Sequence, residues 1–226
     1  MKKVAFLVPT TSKNRDWNNF RDSYLNQILL PSITKLSNSF NIEVYIGYDH
    51  DDRLFSNISL PKEYDKIKLK WFKMGEEYKG KPCHIWNTLG EMALMDKHDY
   101  LQVCGDDISF DNRTEWLGRF INLLHKKNND IGYVSGWSNN DRIPTQFLFH
   151  RTHIEVFGWI FPPPIHNWYC DDFIYGLYEK RGIWIKEYKH LNVGGNPRYI
   201  PNNDANLCKI LIKRYKQHLL RFVANN

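Results

Sequence analysis

Two adjacent carboxylates, Asp106 and Asp107, end the run Tyr100-Leu101-Gln102-Val103-Cys104-Gly105. An apolar strand that stops on acids, with a glycine to turn the backbone, places hard oxygen ligands where open α/β sheets bind their ligands. Carboxylates there suit Mg²⁺ or Mn²⁺ holding a diphosphate. The same two residues also suit the cap of a helix beginning near Arg113, and this run alone favours neither reading.

Three further stretches end in polar groups at matching places. Pro9-Thr10-Thr11-Ser12, with Lys13 and Arg15 behind it, offers hydroxyls, backbone N–H groups and a guanidinium for phosphate, or else a polar loop that caps the next helix. Asp49 directly follows a strand, inside the cluster Asp49-His50-Asp51-Asp52-Arg53; it is an acceptor for a base or ribose, or part of a solvated turn. Asp171-Asp172 opens a helix, whose N-terminus favours ionised carboxylates, and it follows the aromatic loop Ile165-His166-Asn167-Trp168-Tyr169. That loop is of the kind that stacks on sugars, and capping is again the competing reading. His190 follows a strand and leads into the glycine-rich stretch Asn192 to Pro197, as a ligand or as a structural imidazole.

Alternating elements must position these groups. Strands are expected at Lys3–Pro9, Ile42–Tyr48, Ile67–Phe72, Tyr100–Cys104, Ile131–Ser135 and Ile183–Tyr188. Helices are expected at Trp17–Leu36, Cys83–Met95, Thr114–His125, Asp171–Arg181 (closed by Gly182) and Asp204–Val223. Pro162-Pro163-Pro164 forbids helix and marks an extended loop. The β-α-β rhythm argues an α/β fold, with a central, mostly parallel mixed sheet flanked by helices. With no repeat or low-complexity linker, the 226 residues read as one domain: a nucleotide half over 1–107 and an acceptor half over 108–226.

Composition narrows the classes. The longest apolar runs are strand-sized, so no transmembrane segment is expected. The basic start followed by Val4–Pro9 is too short for a signal peptide, and a cytoplasmic protein is expected. Cys83, Cys104, Cys170 and Cys208 show no CxxC pair and read as reduced core thiols. A net formal charge of +6 suits anionic ligands, but the basic residues are too dispersed for a nucleic-acid stripe. Oligomeric state is not legible.

The order of these stations resembles that of a GT-A fold nucleotide-sugar glycosyltransferase, nearest the family 2-like branch. Lys79-Gly80-Lys81-Pro82-Cys83-His84-Ile85-Trp86-Asn87-Thr88-Leu89-Gly90, running on to Gly105-Asp106-Asp107, is similar to that family's helix motif and its Asp-x-Asp signature. Asp171-Asp172 with Lys180-Arg181-Gly182-Ile183-Trp184-Ile185 is similar to the Glu-Asp helix and the strand after it, and His190 stands where many members place a metal-ligating histidine. Three departures stand out: the first acid of Asp-x-Asp is missing, Trp86 stands where Arg is common, and Asp171 replaces Glu. The Asn-, Lys- and Ile-rich composition and small size are also similar to those of glycosyltransferases from large algal DNA viruses.

The resemblance implies metal-dependent, inverting transfer of a sugar from a nucleotide-diphosphate donor, of the UDP type, to a glycan acceptor. It implies Asp172 as general base with Asp171 as its partner. Donor contacts would come from Pro9, Thr10, Thr11, Arg15, Asp49, Lys81, Asn87, Asp106 and Arg198. Mn²⁺ or Mg²⁺ would sit on Asp107, Asp106 and His190, and the acceptor would meet Trp168, Tyr169 and Trp137. Two other classes compete. A metal-dependent nucleotidyltransferase would carry a glycine-rich basic loop after the first strand, where this chain has Pro-Thr-Thr-Ser. A nucleic-acid-binding module would have to bring phosphates past two acidic pairs.

Overall fold

A computed structural model describes residues 1–196, 198–201 and 204–225; Pro197, at the end of the glycine-rich stretch, and Asn202, Asn203 and Asn226 lie outside the described residues. The strands are β1 (Lys3–Thr10), β2 (Asn41–Tyr48), β3 (Glu63–Tyr64), β4 (Ile67–Lys73), β5 (Tyr100–Val103), β6 (Ile108–Ser109), β7 (Tyr133–Trp137), β8 (Leu148–His150), β9 (Gly182–Lys189) and β10 (Leu191–Asn192). The α-helices are α1 (Leu30–Ile33), α2 (Pro82–Met95), α3 (Glu115–Asn128), α4 (Thr152–Phe157), α5 (Cys170–Leu177) and α6 (Ala205–Ala224).

Eight strands form one sheet in the order β3-β4-β2-β1-β5-β8-β7-β9. Strands β4, β2, β1 and β5 run parallel, as do β7 and β9, while β3 and β8 are antiparallel to their neighbours. The continuous apolar run of β1 follows from burial on both faces. Val4, Phe6 and Val8 join the core with the segment before β2 and α3, whereas Ala5 and Leu7 face the core with α2, α4, α5 and α6.

The helix expected over Trp17–Leu36 is broken into a 3₁₀ turn (Phe20–Asp22), a π segment (Leu25–Leu29), α1 and a second 3₁₀ turn (Thr34–Asn38). Pro31 has no N–H to give the preceding turn. The hydroxyls of Ser32 and Thr34 donate to the carbonyls of Leu29 and Leu30, 2.7 and 2.8 Å away. Apolar spacing survives such local substitutions; regular α geometry does not. Helix α5 ends at Leu177 rather than Arg181. Gly182 instead starts β9, where a side chain would collide with Tyr133.

The short ribbon β6–β10 has a larger consequence than its length suggests. Pairing Ile108 with Asn192 and Ser109 with Leu191 lays the 105–107 turn beside residues 193–195. There the Val193 N–H donates to the Asp107 carbonyl (3.1 Å).

Candidate active site

The carboxyl ends of β1, β2 and β5 adjoin at one edge of the sheet, because these strands are parallel and in register. Thr10 closes β1, Asp49 follows β2, and Cys104-Gly105-Asp106-Asp107 follows β5. A cleft of about 540 Å³ opens there; its lining includes Pro9, Thr10, Thr11, Asp49, Lys81, Trp86, Asp106, Asp107, Arg142, Trp168, Tyr169, Asp171, Asp172, Arg198 and Tyr199.

Asp106 is fully enclosed and fully satisfied. The Thr10 hydroxyl donates to one carboxylate oxygen at 2.6 Å and the Arg198 guanidinium to the other at 2.8 Å. Arg198 is itself held over Trp17 and Tyr24. Asp107 has no ion-pair partner among the described residues, and burial together with the neighbouring Asp106 charge pushes its carboxyl up to about 6 against the pull of Arg198. A carboxylate in that position has an electrostatic demand for a cation. Gly194 packs against it so closely that a Cβ would overlap the Asp107 side chain.

The β1 loop is shaped by Asp52, 4 % exposed, which accepts from the Ser12 N–H (2.6 Å), the Ser12 hydroxyl (2.9 Å) and the Thr11 hydroxyl (3.1 Å). Asp49 accepts from the Tyr199 hydroxyl, so the 198–199 segment touches both acidic stations of this edge.

The other part of the lining comes from α5 and the loop before it. Tyr169 has left-handed backbone (φ 64°), and no side chain caps the helix. Capping therefore explains neither Asp171 nor Asp172. Asp172 faces Arg142, whose two terminal nitrogens donate to its two oxygens at 2.6 and 3.4 Å. Asp171 has no such partner among the described residues, and burial, reinforced by the Asp172 charge and opposed by Arg142, pushes its carboxyl up to about 7. Trp168, half exposed, stands at the cleft beside them.

Four residues expected at the site lie elsewhere. His190 is fully buried, ringed by Phe110, Trp116 and Phe120, and burial lowers its imidazole to about 3; it does not line the cleft. Asn87 is spent on fold rather than ligand: its amide donates to the Phe161 carbonyl (2.8 Å) and accepts from the N–H groups of Ile160 (2.9 Å) and Phe161 (2.8 Å). Arg15 lies outside the cleft and donates to the carbonyls of Gly194 (3.3 Å) and Asn196 (2.8 Å), tying down the glycine-rich stretch. Trp137 bonds Asp141 (2.8 Å) and does not line the cleft.

Arg142 and Tyr199 belong to the site although no spacing announced them, and Asp52 shapes it from behind. Trp86 also turns inward, donating to the Leu7 and Cys104 carbonyls at 3.0 and 3.3 Å. Among the described residues, no group of three or more His, Cys, Asp or Glu side chains is arranged to hold a metal.

No family model matches the sequence, and no curated protein matches it. Solved structures do. The mannosyltransferase PcManGT from Pyrobaculum calidifontis, solved with GDP-Man and Mn²⁺, superposes with a TM-score of 0.56 at 14 % identity, over 99 % of this chain and 65 % of that one. S. aureus TarS 1-349 in complex with UDP-GlcNAc gives 0.56 at 12 % identity, over 98 % and 71 %. Another structure of TarS 1-349 gives 0.54 at 14 % identity, and this chain spans 60 % of its length. The likeness is one of fold: an α/β chain with the large, mostly parallel mixed sheet of GT-A nucleotide-sugar transferases.

Proposed function

We propose that this chain transfers a sugar from a nucleoside diphosphate donor to an acceptor hydroxyl, with inversion, and that Asp171 rather than Asp172 is its general base. The observation that carries the reading is the single cleft shared by Asp106-Asp107 and Asp171-Asp172. The fold of proteins solved with UDP-GlcNAc and GDP-Man supports it.

The donor's base and ribose lie against Thr10, Thr11 and Asp49, whose carboxylate already accepts from the Tyr199 hydroxyl. Lys81 and Arg198, both at the cleft, supply positive charge to the diphosphate oxygens. The donor set also fits Mg²⁺ or Mn²⁺, which are commonly held by one or two carboxylates with waters and substrate phosphate completing the shell. Asp107 is the protein ligand, its raised carboxyl being the mark of an uncompensated site, while Asp106 acts from behind through Thr10 and Arg198. A cation bound there would neutralise charge developing on the leaving diphosphate.

At the other end of the sugar, the acceptor hydroxyl oxygen attacks the anomeric carbon and gives its proton to Asp171 as the bond to the diphosphate breaks. A base works best with a pKa near the operating pH, and Asp171 meets that condition. Asp172 is neutralised by Arg142 and serves to place the pair. Trp168 and Tyr169 give the acceptor its apolar face.

Incubation with a panel of UDP- and GDP-sugars and candidate glycan acceptors, read as acceptor-dependent release of nucleoside diphosphate, tests the activity. The product's anomeric configuration by NMR tests inversion. Acceptor-independent nucleotide chemistry, such as pyrophosphate release from a nucleoside triphosphate and a sugar phosphate, would overturn the reading for the nucleotidyltransferase class.

A further inference from the structure

The net charge of the chain is +6, yet the structure concentrates it. Helix α6 alone carries Lys209, Lys213, Arg214, Lys216 and Arg221 and no acid within Ala205–Ala224. Its inner face is accounted for: Cys208, Leu211 and Leu219 are buried, and Ile212 packs onto Gly176 of α5. At 100° per residue the cations fall around the opposite side. Arg214 and Arg221, seven apart, stack along one flank; Lys209 and Lys216, also seven apart, stack along the other. Among the described residues, Lys216 pairs with Glu179 at 2.8 Å and Arg214 lies over the Tyr215 ring at 5.5 Å, and no other cation of the helix has an ion-pair partner.

Between these flanks, Ile210 is 64 % exposed and Leu220 61 % exposed. Two aliphatic side chains in a cationic stripe are ill placed for water. A nucleic-acid backbone would use the cations alone, whereas a bilayer interface uses both, with the aliphatic groups below the headgroups and the cations against anionic phosphates. The helix is not one that spans: among the described residues no helix is long and apolar enough to cross a membrane.

We infer that the outer face of α6 docks on an anionic phospholipid surface. Docking there leaves the cleft usable and close by. The first turn of α6 abuts it, with the Cys208 thiol 3.7 Å from the carbonyl of Tyr169, a cleft-lining residue.

Co-sedimentation of the intact chain with vesicles of phosphatidylcholine alone, and of phosphatidylcholine mixed with phosphatidylserine, tests this. The protein partitions to the mixed vesicles, is released by added salt, and ignores the neutral ones. Arg214→Gln with Arg221→Gln lowers the partition about thirtyfold, at about fivefold per cation. Ile210→Ser with Leu220→Ser lowers it about tenfold or more, as the loss of buried aliphatic groups requires. All four positions face solvent, so thermal melts of both variants match the parent. No partition to anionic vesicles at low salt overturns the proposal. So does parental binding by the arginine variant. Parental vesicle binding by the serine variant also overturns it, since a purely ionic surface would then suffice.

Discussion

Asp171 and Asp172 are neighbours in sequence with opposite surroundings, and the proposed roles divide along that line. Asp171→Asn is expected to lower turnover by about 10²–10⁴ with donor binding intact, whereas Asp172→Asn keeps most of the rate. Because the base must be ionised, kcat/KM rises with pH and levels off above about 7. Arg142 holds the Asp171 carboxyl down, so Arg142→Gln moves that profile to higher pH. Activity that vanishes in Asp172→Asn while surviving in Asp171→Asn would return the role to Asp172. Stability gives an independent reading. The folded carboxyl of Asp171 is raised above its unfolded value near 3.9, so the native state binds the extra proton between about pH 4 and 7, and the parent loses stability as pH rises through that window. Asp171→Asn therefore melts higher than the parent at pH 8, and the gap closes toward pH 4. The acids themselves were legible, because their type and strand-end position can be read along the chain. Their partners were not: Arg142 lies 30 residues before Asp172, and Tyr199 lies 150 residues after Asp49.

At the scale of elements, small connectors set the geometry. Asn87 fastens α2 to the 160–161 backbone through three hydrogen bonds. Asn87→Ala leaves two part-buried N–H groups and a carbonyl unpaired, and about 1–3 kcal/mol is expected to go from urea-unfolding stability, with nucleotide affinity retained. A selective loss of nucleotide affinity instead would restore Asn87 to the donor site. Gly194→Ala pushes the β10 side away from Asp107 and is expected to weaken cation-dependent nucleotide binding more than stability. Long apolar strands and amphipathic helices were readable because burial on one or two faces leaves a periodic trace. The strand β8, three residues long, and the two-residue strands β6 and β10 leave none, yet β8 joins β5 to β7 in the main sheet and the β6–β10 ribbon brings residues 193–195 to Asp107. His190 misleads for the same reason: its place after β9 fits a ligand, and only the packing of Phe110, Trp116 and Phe120 reveals a core residue.

Across the whole molecule, the carboxyl edge of the sheet and the first turn of α5 bring the two acidic pairs to one cleft, and every functional assignment depends on that cleft receiving a nucleoside diphosphate sugar. Arg198 and Tyr199 contact Asp106 and Asp49 in the structure described, so a donor entering this cleft must meet or displace them. On the proposed reading, Lys81 and Arg198 contribute attraction in the absence of any metal, and Asp107 adds the metal-dependent part. Isothermal titration of UDP- and GDP-sugars into the parent and Asp107→Asn, each with Mn²⁺ and with EDTA, measures these parts separately. The account predicts saturable binding to the parent, tighter in Mn²⁺ than in EDTA, and a variant that binds equally in both. No binding by the parent of any nucleotide sugar, with or without metal, would contradict it.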